Sequence, residues 1–141
     1  MQDNIEGLRL IKNEKEEYYV DSQGRKQGEY KNFASLGKIF IKCNYVDNKK
    51  DGEFIRYYYY TNINKILFKC NYSKGLLHGE YIEYYPSKRK ELEGNYVNGE
   101  KEGYWYQYED RENVIPTEKY YEDGVECDPP SIEVKNAYFK V

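Results

Sequence analysis

The stretch that decides the fold runs from Gly79 to Gly103 and reads GEYIEYYPSKRKELEGNYVNGEKEG. It opens on a glycine, with aromatic residues two and five positions later, and passes through a charged turn into a short strand that ends in Asn95-Tyr96. Strand-forming Tyr, Ile and Val alternate with turn-forming Gly, Asn and Lys, which predicts a β-hairpin. Asn98-Gly99 suits a type I′ turn, because both central residues of that turn need positive φ.

The rest of the chain repeats this unit. The glycines that open the four copies are Gly28, Gly52, Gly79 and Gly103, so the steps are 24, 27 and 24 residues. The aromatic residues two positions later are Tyr30, Phe54, Tyr81 and Trp105, and those five positions later are Phe33, Tyr57, Tyr84 and Tyr108. The closing tyrosines are Tyr45, Tyr72, Tyr96 and Tyr121. A fixed period predicts an all-β repeat architecture, an elongated antiparallel meander of tandem hairpins.

The sequence pattern predicts the face of each side chain more clearly in the second strand of each copy than in the first. The second strand alternates cleanly, with Ile41, Cys43 and Tyr45 on one predicted buried face. In the first strand, positions two and five after the glycine point to opposite faces of a regular strand. We predict that position five is core and that position two forms a half-exposed aromatic row. A bulge after the glycine would place both on one face.

The length of 141 residues predicts one domain in three parts. Residues 1–20 are expected to be a half-repeat that caps the array, and residues 21–127 hold the four repeats. Pro116 predicts a short or bulged second strand in the last copy, and Asp128 stands where a glycine is expected. Residues 128–141 are expected to add a strand that caps the open edge, or to pair with a partner's strand.

The three cysteines are predicted to be reduced. Cys43 and Cys70 occupy the same repeat position, two strand spacings or about 9.5 Å apart, which is farther than the roughly 7 Å that a disulfide allows. No signal peptide or membrane span is evident at the N-terminus. The expected location is therefore cytoplasmic, or within the virion if the protein is viral.

The residues that carry chemistry are sparse. His78, the single histidine, stands in a turn, where an exposed position is the expected one, and it has no second histidine to act with. The sequence contains neither a set of residues for a nucleophile triad nor a zinc-ligand spacing. The glycines are expected to form the turns of the hairpins, and they do not form a phosphate-binding loop. The sequence predicts no enzyme and no cofactor.

The charges limit the partners. The net charge is −3 and the basic groups lie in separate turns, which makes nucleic acid an unlikely ligand and mildly favours a basic protein. A membrane surface is possible but not favoured, through the lysine-bearing turns. Association of copies through the sheet edges is also open.

The repeat unit resembles the MORN repeat, in the variant form with a period of 22 to 24 residues found in bacterial and viral proteins. The similarity covers residues 20–127 and rests on the Gly-Glu-aromatic opening, the charged turn and the closing Asn-Tyr with its two following glycines. The resemblance implies a groove lined by repeat aromatics and non-catalytic roles: protein binding, dimerisation or lipid association. Some variant-repeat proteins are antitoxin-like or immunity-like partners, and a structural component such as a capsid-associated protein is the other possibility. The composition, rich in Lys, Asn, Tyr and Ile, suggests a low-GC bacterium or a large virus.

The tyrosine rows are the remaining functional signal. Tyr and Trp give large contact areas at low entropic cost, so they are common in binding surfaces. Core and binding interpretations weigh about equally for position two. The candidate partner-binding residues are Tyr30, Phe54, Tyr58, Tyr81, Tyr85 and Trp105.

Overall fold

The computed structural model describes residues 5–60 and 63–131, which form one open antiparallel sheet of eleven strands. Each strand pairs with the next in sequence order, so the predicted meander is confirmed. The strands are β1 (Arg9–Lys12), β2 (Glu16–Val20), β3 (Lys26–Phe33), β4 (Ile39–Val46), β5 (Lys49–Tyr57), β6 (Ile66–Ser73), β7 (Leu76–Tyr84), β8 (Lys90–Val97), β9 (Glu100–Gln107), β10 (Thr117–Glu122) and β11 (Val125–Cys127). The described residues include no helix long and apolar enough to cross a membrane.

From β3 onward, two kinds of connection alternate along the sheet, one kind on each edge. The narrow-turn edge carries two-residue turns, among them Asn98-Gly99, with φ values of 48° and 88°. Positive φ at both positions is what a type I′ turn requires, and Lys74-Gly75 and Asp123-Gly124 repeat it. The opposite, wide-loop edge carries the longer connections, residues 34–38, 58–65, 85–89 and 108–116.

The narrow turns of successive repeats are joined by hydrogen bonds. The amide of Gly75 donates to the carbonyl of Lys50 at 2.8 Å, and the amide of Gly99 donates to that of Leu77 at 2.7 Å. Equivalent bonds run from Asn48 to Lys26 and from Gly124 to Lys101. Each turn is therefore held by the repeat before it, which fixes how successive hairpins are placed.

Most of the buried side chains of the described residues lie on one face of the sheet, which we call the aromatic face. Ile82, 4% exposed, is buried on the other face, opposite Lys69 and Glu93. The core of the aromatic face is Cys43, Phe54 and Cys70, and the half-buried residues packed against it include Tyr30 and Tyr81. The strand pairing explains this arrangement, since Cys43 and Cys70 are the direct partners of Phe54 on its two sides. Residues directly opposite each other in a ladder share a face.

The burial of position two corrects one prediction. Phe54 and Trp105 are only 6% and 2% exposed, so a half-exposed row is wrong at these two positions. Tyr30 and Tyr81 are half-buried, and so is position five throughout. The strand irregularity allowed for in the sequence occurs between positions four and five, for example between Arg56 and Tyr57. The position-two residues therefore lie on the aromatic face, together with Cys43 and Cys70 of the second strands, and contribute to its core.

Small residues in the second strand make room for the rings. Cys43 and Cys70 are free, buried thiols beside Phe54, as predicted. Burial raises the pKa of the Cys70 thiol to about 11, which keeps it protonated and unreactive at neutral pH. Gly94 occupies the same repeat position, and a Cβ placed there would overlap the Trp105 indole. The largest ring of the row thus lies over the smallest residue.

The strands at the two ends of the sheet are shorter than those of the central repeats. β1 and β2 form a hairpin that pairs with the first repeat, in the region expected to be a half-repeat. β10 begins directly after Pro116 and has six residues, so it is short, as predicted. The sheet ends at Cys127, before Asp128. The predicted capping strand falls largely in residues 132–141, outside the described residues, as do residues 1–4.

Candidate functional site

The aromatic face carries a nearly continuous series of ring contacts that runs across the strands. Tyr18 and Tyr30 have ring centroids 5.9 Å apart, Phe54 stacks on Phe68 at 5.7 Å, and Phe68 stacks on Tyr81 at 5.7 Å. The series continues to Trp105 and Tyr121, with centroid distances of 5.8 Å and 6.3 Å. Separations in this range are those at which aromatic pairs attract one another. The predicted row of position two exists, and it is built as packing between repeats.

Lysines at one repeat position cover these rings. The Nζ atom of Lys26 lies 4.6–5.2 Å from three tyrosine ring centroids, that of Lys50 lies 4.8 Å from Phe54, and that of Lys101 lies 4.4 Å from Trp105. Each lysine stands two residues before an opening glycine, where the third repeat has Leu77. An ammonium group over a ring face is stabilised by the ring quadrupole. The sequence analysis missed this position, although its spacing from the glycine was a usable signal.

Two of the position-two tyrosines are engaged within the sheet. The Tyr30 hydroxyl donates to Glu16 Oε2 at 2.8 Å, and the Tyr81 hydroxyl donates to Glu83 Oε1 at 2.6 Å. Burial, together with the bond to Glu16, raises the pKa of Tyr30 to about 12. Burial, followed by the bond to Glu83, also raises the pKa of Tyr81. Both phenols are therefore protonated donors at neutral pH, and their hydrogens are already committed.

Tyr58 and Tyr85, both predicted to contact a partner, join neighbouring repeats. The Tyr58 hydroxyl donates to the carbonyl of Tyr84, and the Tyr85 hydroxyl donates to that of Tyr108, each at 2.7 Å. Both side chains are half-buried. Each bond satisfies a backbone carbonyl of the next repeat at the wide-loop edge, the first at the end of β7 and the second in the wide loop after β9, so these tyrosines join successive repeats there.

Among residues 5–60 and 63–131, the most exposed aromatic side chains lie in the second wide loop. Tyr59 and Tyr60 are 68% and 60% exposed, with ring centroids 5.4 Å apart. Tyr60 also contacts Tyr58 at 5.3 Å, and Tyr59 contacts Phe40 of the preceding repeat at 6.5 Å. We call Phe40, Tyr58, Tyr59 and Tyr60 the edge cluster. The run of four tyrosines in the sequence was its signal, but only the loop geometry separates the exposed members from Tyr57 and Tyr58.

Arg56 connects the edge cluster to the aromatic face. Its guanidinium carbon lies 4.7 Å from the Phe40 ring centroid. Its strand partners are Ile41 and Phe68, which belong to the aromatic face. Arg56 Nε is buried and has no hydrogen-bond partner among the described residues. The guanidinium group lies over the Phe40 ring, which stabilises it as a cation over an aromatic face.

His78 has a structural role that the sequence analysis did not foresee. Its Nδ1 accepts a hydrogen bond from the amide of Asn98 at 3.3 Å. Gln27, Asp51 and Glu102 stand at the same repeat position and accept the equivalent amide of the following turn. The histidine is thus one of a series of turn acceptors. Among residues 5–60 and 63–131, no cluster of His, Cys, Asp and Glu is placed to hold a metal ion.

The basic groups that the membrane alternative requires do not share an edge. Lys49-Lys50 follow a narrow turn, whereas Lys88-Arg89 lie in a wide loop on the opposite edge. Arg89 lies 3.4 Å from both Asp110 and Glu112 of the next wide loop, so part of its charge is balanced. These basic groups therefore do not combine into one basic edge of the sheet.

Comparison with known proteins adds little to this geometry. No protein-family model and no curated protein matches the chain. Among solved structures, a point mutant of S. aureus TarM in complex with fondaparinux, alpha-GlcNAc-glycerol and UDP is similar, with 14% identity and a TM-score of 0.38. The match covers 70% of this chain and 21% of that chain. At this level the similarity carries no argument about fold or function.

Proposed function

We propose that this chain is a non-enzymatic protein-binding module of the MORN-like repeat type, which binds its partner with the wide-loop edge of the sheet. The observation that carries the proposal is the edge cluster. Tyr59 and Tyr60 expose most of their ring surface, and Leu36 in the preceding wide loop is exposed as well. Soluble proteins rarely gather large apolar side chains on their surface without a binding role.

The residue types of the edge cluster support a protein partner. Tyrosine and arginine are enriched among the residues that contribute most to protein–protein binding. Here Arg56 lies over Phe40, and Tyr58 is tied by its hydroxyl to the next repeat. A cluster anchored in this way loses little side-chain freedom when a partner binds, which favours affinity.

Two kinds of protein partner fit this proposal. One is a toxin-like protein that this chain neutralises, and the other is a neighbouring component of an assembly such as a capsid. The proposed place of action is accordingly the cytoplasm or the virion. A neutralised partner would be captured in a discrete complex of fixed stoichiometry, whereas an assembly component would be recovered in larger particles.

The test is a pull-down from the source cells with the wild-type chain and two double variants. Tyr59→Ser/Tyr60→Ser removes the exposed rings, and Val97→Ser/Val125→Ser removes exposed apolar surface from the narrow-turn edge as a matched control. We expect one stoichiometric partner that the tyrosine variant loses and the valine variant keeps. Circular dichroism checks that all three chains fold. A partner retained by a folded Tyr59→Ser/Tyr60→Ser chain would overturn the assignment of the binding edge.

A further inference from the structure

The two faces of the sheet differ in charge, although the sequence shows only a mixture of charges and a net value of −3. The face opposite the aromatic face carries most of the strand carboxylates, because cross-strand partners share a face. These carboxylates are Glu29, Glu53, Glu80, Glu93, Glu102 and Glu118. The aromatic face instead carries Lys26, Lys50 and Lys101 over its rings.

The three lysines that lie over the rings of the aromatic face have no carboxylate partner. Within residues 5–60 and 63–131, none of Lys26, Lys50 and Lys101 forms an ion pair. The carboxylates on this face are engaged elsewhere. Glu16 and Glu83 accept tyrosine hydroxyls, and Glu126 pairs with Lys119 at 3.0 Å. Three ammonium groups over aromatic rings are thus left for a ligand.

We propose that the aromatic face binds an extended acidic segment of a partner protein that lies across the strands, with its carboxylates on Lys26, Lys50 and Lys101. This surface is distinct from the edge cluster, and the inference does not depend on the proposed function. The net charge of the chain is negative and favours a basic partner. The aromatic face is positively charged instead, so a partner that binds there is expected to be acidic. Complementary charge of this kind governs partner choice and association rate.

The spacing of the lysines favours a polypeptide ligand. Equivalent positions in adjacent repeats are two strands apart, about 9.5 Å. A polyproline II segment has three residues per turn and rises about 3.1 Å per residue, so every third side chain recurs at roughly 9.3 Å. A glutamate at every third position would therefore meet Lys26 and Lys50 in turn, while the third repeat offers the apolar Leu77. Extended segments of this type dock on surfaces lined by aromatic rings.

The experiment measures the fluorescence anisotropy of a labelled synthetic peptide that repeats Glu-Pro-Pro, with a Gln-Pro-Pro peptide of equal length as the uncharged control. The test variant is Lys26→Gln/Lys50→Gln/Lys101→Gln. The matched control is Lys31→Gln/Lys42→Gln/Lys69→Gln, which removes the same charge from the opposite face. We expect the test variant to weaken binding roughly tenfold and the matched control to leave it nearly unchanged.

Further arms keep the proposal falsifiable. Should the triple variant fail to fold by circular dichroism, Lys50→Gln and Lys50→Arg replace it, and we expect only the arginine variant to keep wild-type affinity. Equal losses in both triple variants, or equal binding of the two peptides, would overturn the proposal. Tighter binding to anionic phosphatidylserine vesicles or to a single-stranded DNA oligonucleotide would overturn it in favour of that class of ligand. The Tyr59→Ser/Tyr60→Ser chain should bind the peptide with wild-type affinity. The peptide experiment therefore tests the aromatic face alone, and the pull-down tests the edge cluster alone.

Discussion

Single positions explain how a sheet with few aliphatic residues buries a core. The row of position two alternates large rings with small residues, so that Phe54 lies between Cys43 and Cys70. Trp105 needs still more room and lies over Gly94. Because protein interiors are close-packed, such a row tolerates little change in volume. The variation among Cys and Gly at this position therefore follows from the ring that each one accommodates.

The close approach of Trp105 makes Gly94 sensitive to substitution. In the Gly94→Ala variant the added methyl group would overlap the indole, so either the ring or the strand must shift. We expect a loss of about 1–3 kcal/mol in the free energy of unfolding, measured by urea denaturation. Asn95→Ala, at the exposed neighbouring position, is the control and should cost much less. Equal stability of Gly94→Ala and the wild type would show that the indole does not lie over Gly94.

Hairpins are joined at both edges of the sheet by bonds that recur from repeat to repeat. On the narrow-turn edge, each turn donates to a carbonyl and to a side chain of the repeat before it, as Asn98-Gly99 does to Leu77 and His78. On the wide-loop edge, Tyr58 and Tyr85 donate to backbone carbonyls of the repeat after them. Loop and turn residues that the sequence predicts to be exposed therefore form hydrogen bonds that join neighbouring repeats.

The turn series predicts how His78 can be replaced. His78→Ala removes the acceptor of the Asn98 amide and should cost about 0.5–1 kcal/mol of unfolding free energy. His78→Gln should cost clearly less, because Gln27 performs the same role in the first repeat. Urea denaturation of the two variants measures the difference. Equal losses would mean that the imidazole stabilises the fold through something other than this acceptor.

The described residues form a single layer, and its buried side chains pack between consecutive repeats. Each strand pairs only with its sequence neighbours, so stability is expected to be a sum of repeat terms and interface terms. Such an array tolerates the loss of a unit provided that the new neighbours fit. Cys43 and Cys70 occupy equivalent positions, so the second repeat can be removed without bringing unlike residues together.

Deletion of residues 52–78 tests this additivity. Gly79 would follow Asp51, and Tyr81 would face Cys43 as it now faces Cys70. We expect circular dichroism to show a β-sheet and thermal unfolding to remain cooperative, with a lower midpoint because one repeat and its interface are lost. The control is the equally long deletion of residues 66–92, which cuts β8 within the strand. If the two deletions unfold alike, the repeats are not independent units.

Much of the fold could be predicted from the sequence. The period of the glycines and the Asn-Gly-type turns predict the meander, and the alternation around Cys43 predicts which face of the second strand is buried. Pro116 marks the start of the short β10. These features depend on residues close together in the chain, so they are visible in a local pattern.

The candidate site could be predicted only in part. The row of Tyr30, Phe54, Tyr81 and Trp105 was found from its spacing, but its burial was misjudged at Phe54 and Trp105. Tyr58 was named as a candidate and the more exposed Tyr59 and Tyr60 were not, because exposure within a loop depends on contacts with the neighbouring repeats. The lysines over the rings were overlooked, because a lysine beside a turn is expected to be exposed to solvent unless the residues packed around it are known.

The sequence alone determined the repeat, the hairpins, their order and the reduced state of the buried cysteines. Only the tertiary structure decided which aromatic residues are buried, which of them join repeats and how charge divides between the two faces. The physical reason is that burial and charge separation depend on the register between strands from different repeats. One slip in register moves a side chain to the other face, and the irregularity after position four is set by the pairing of whole strands.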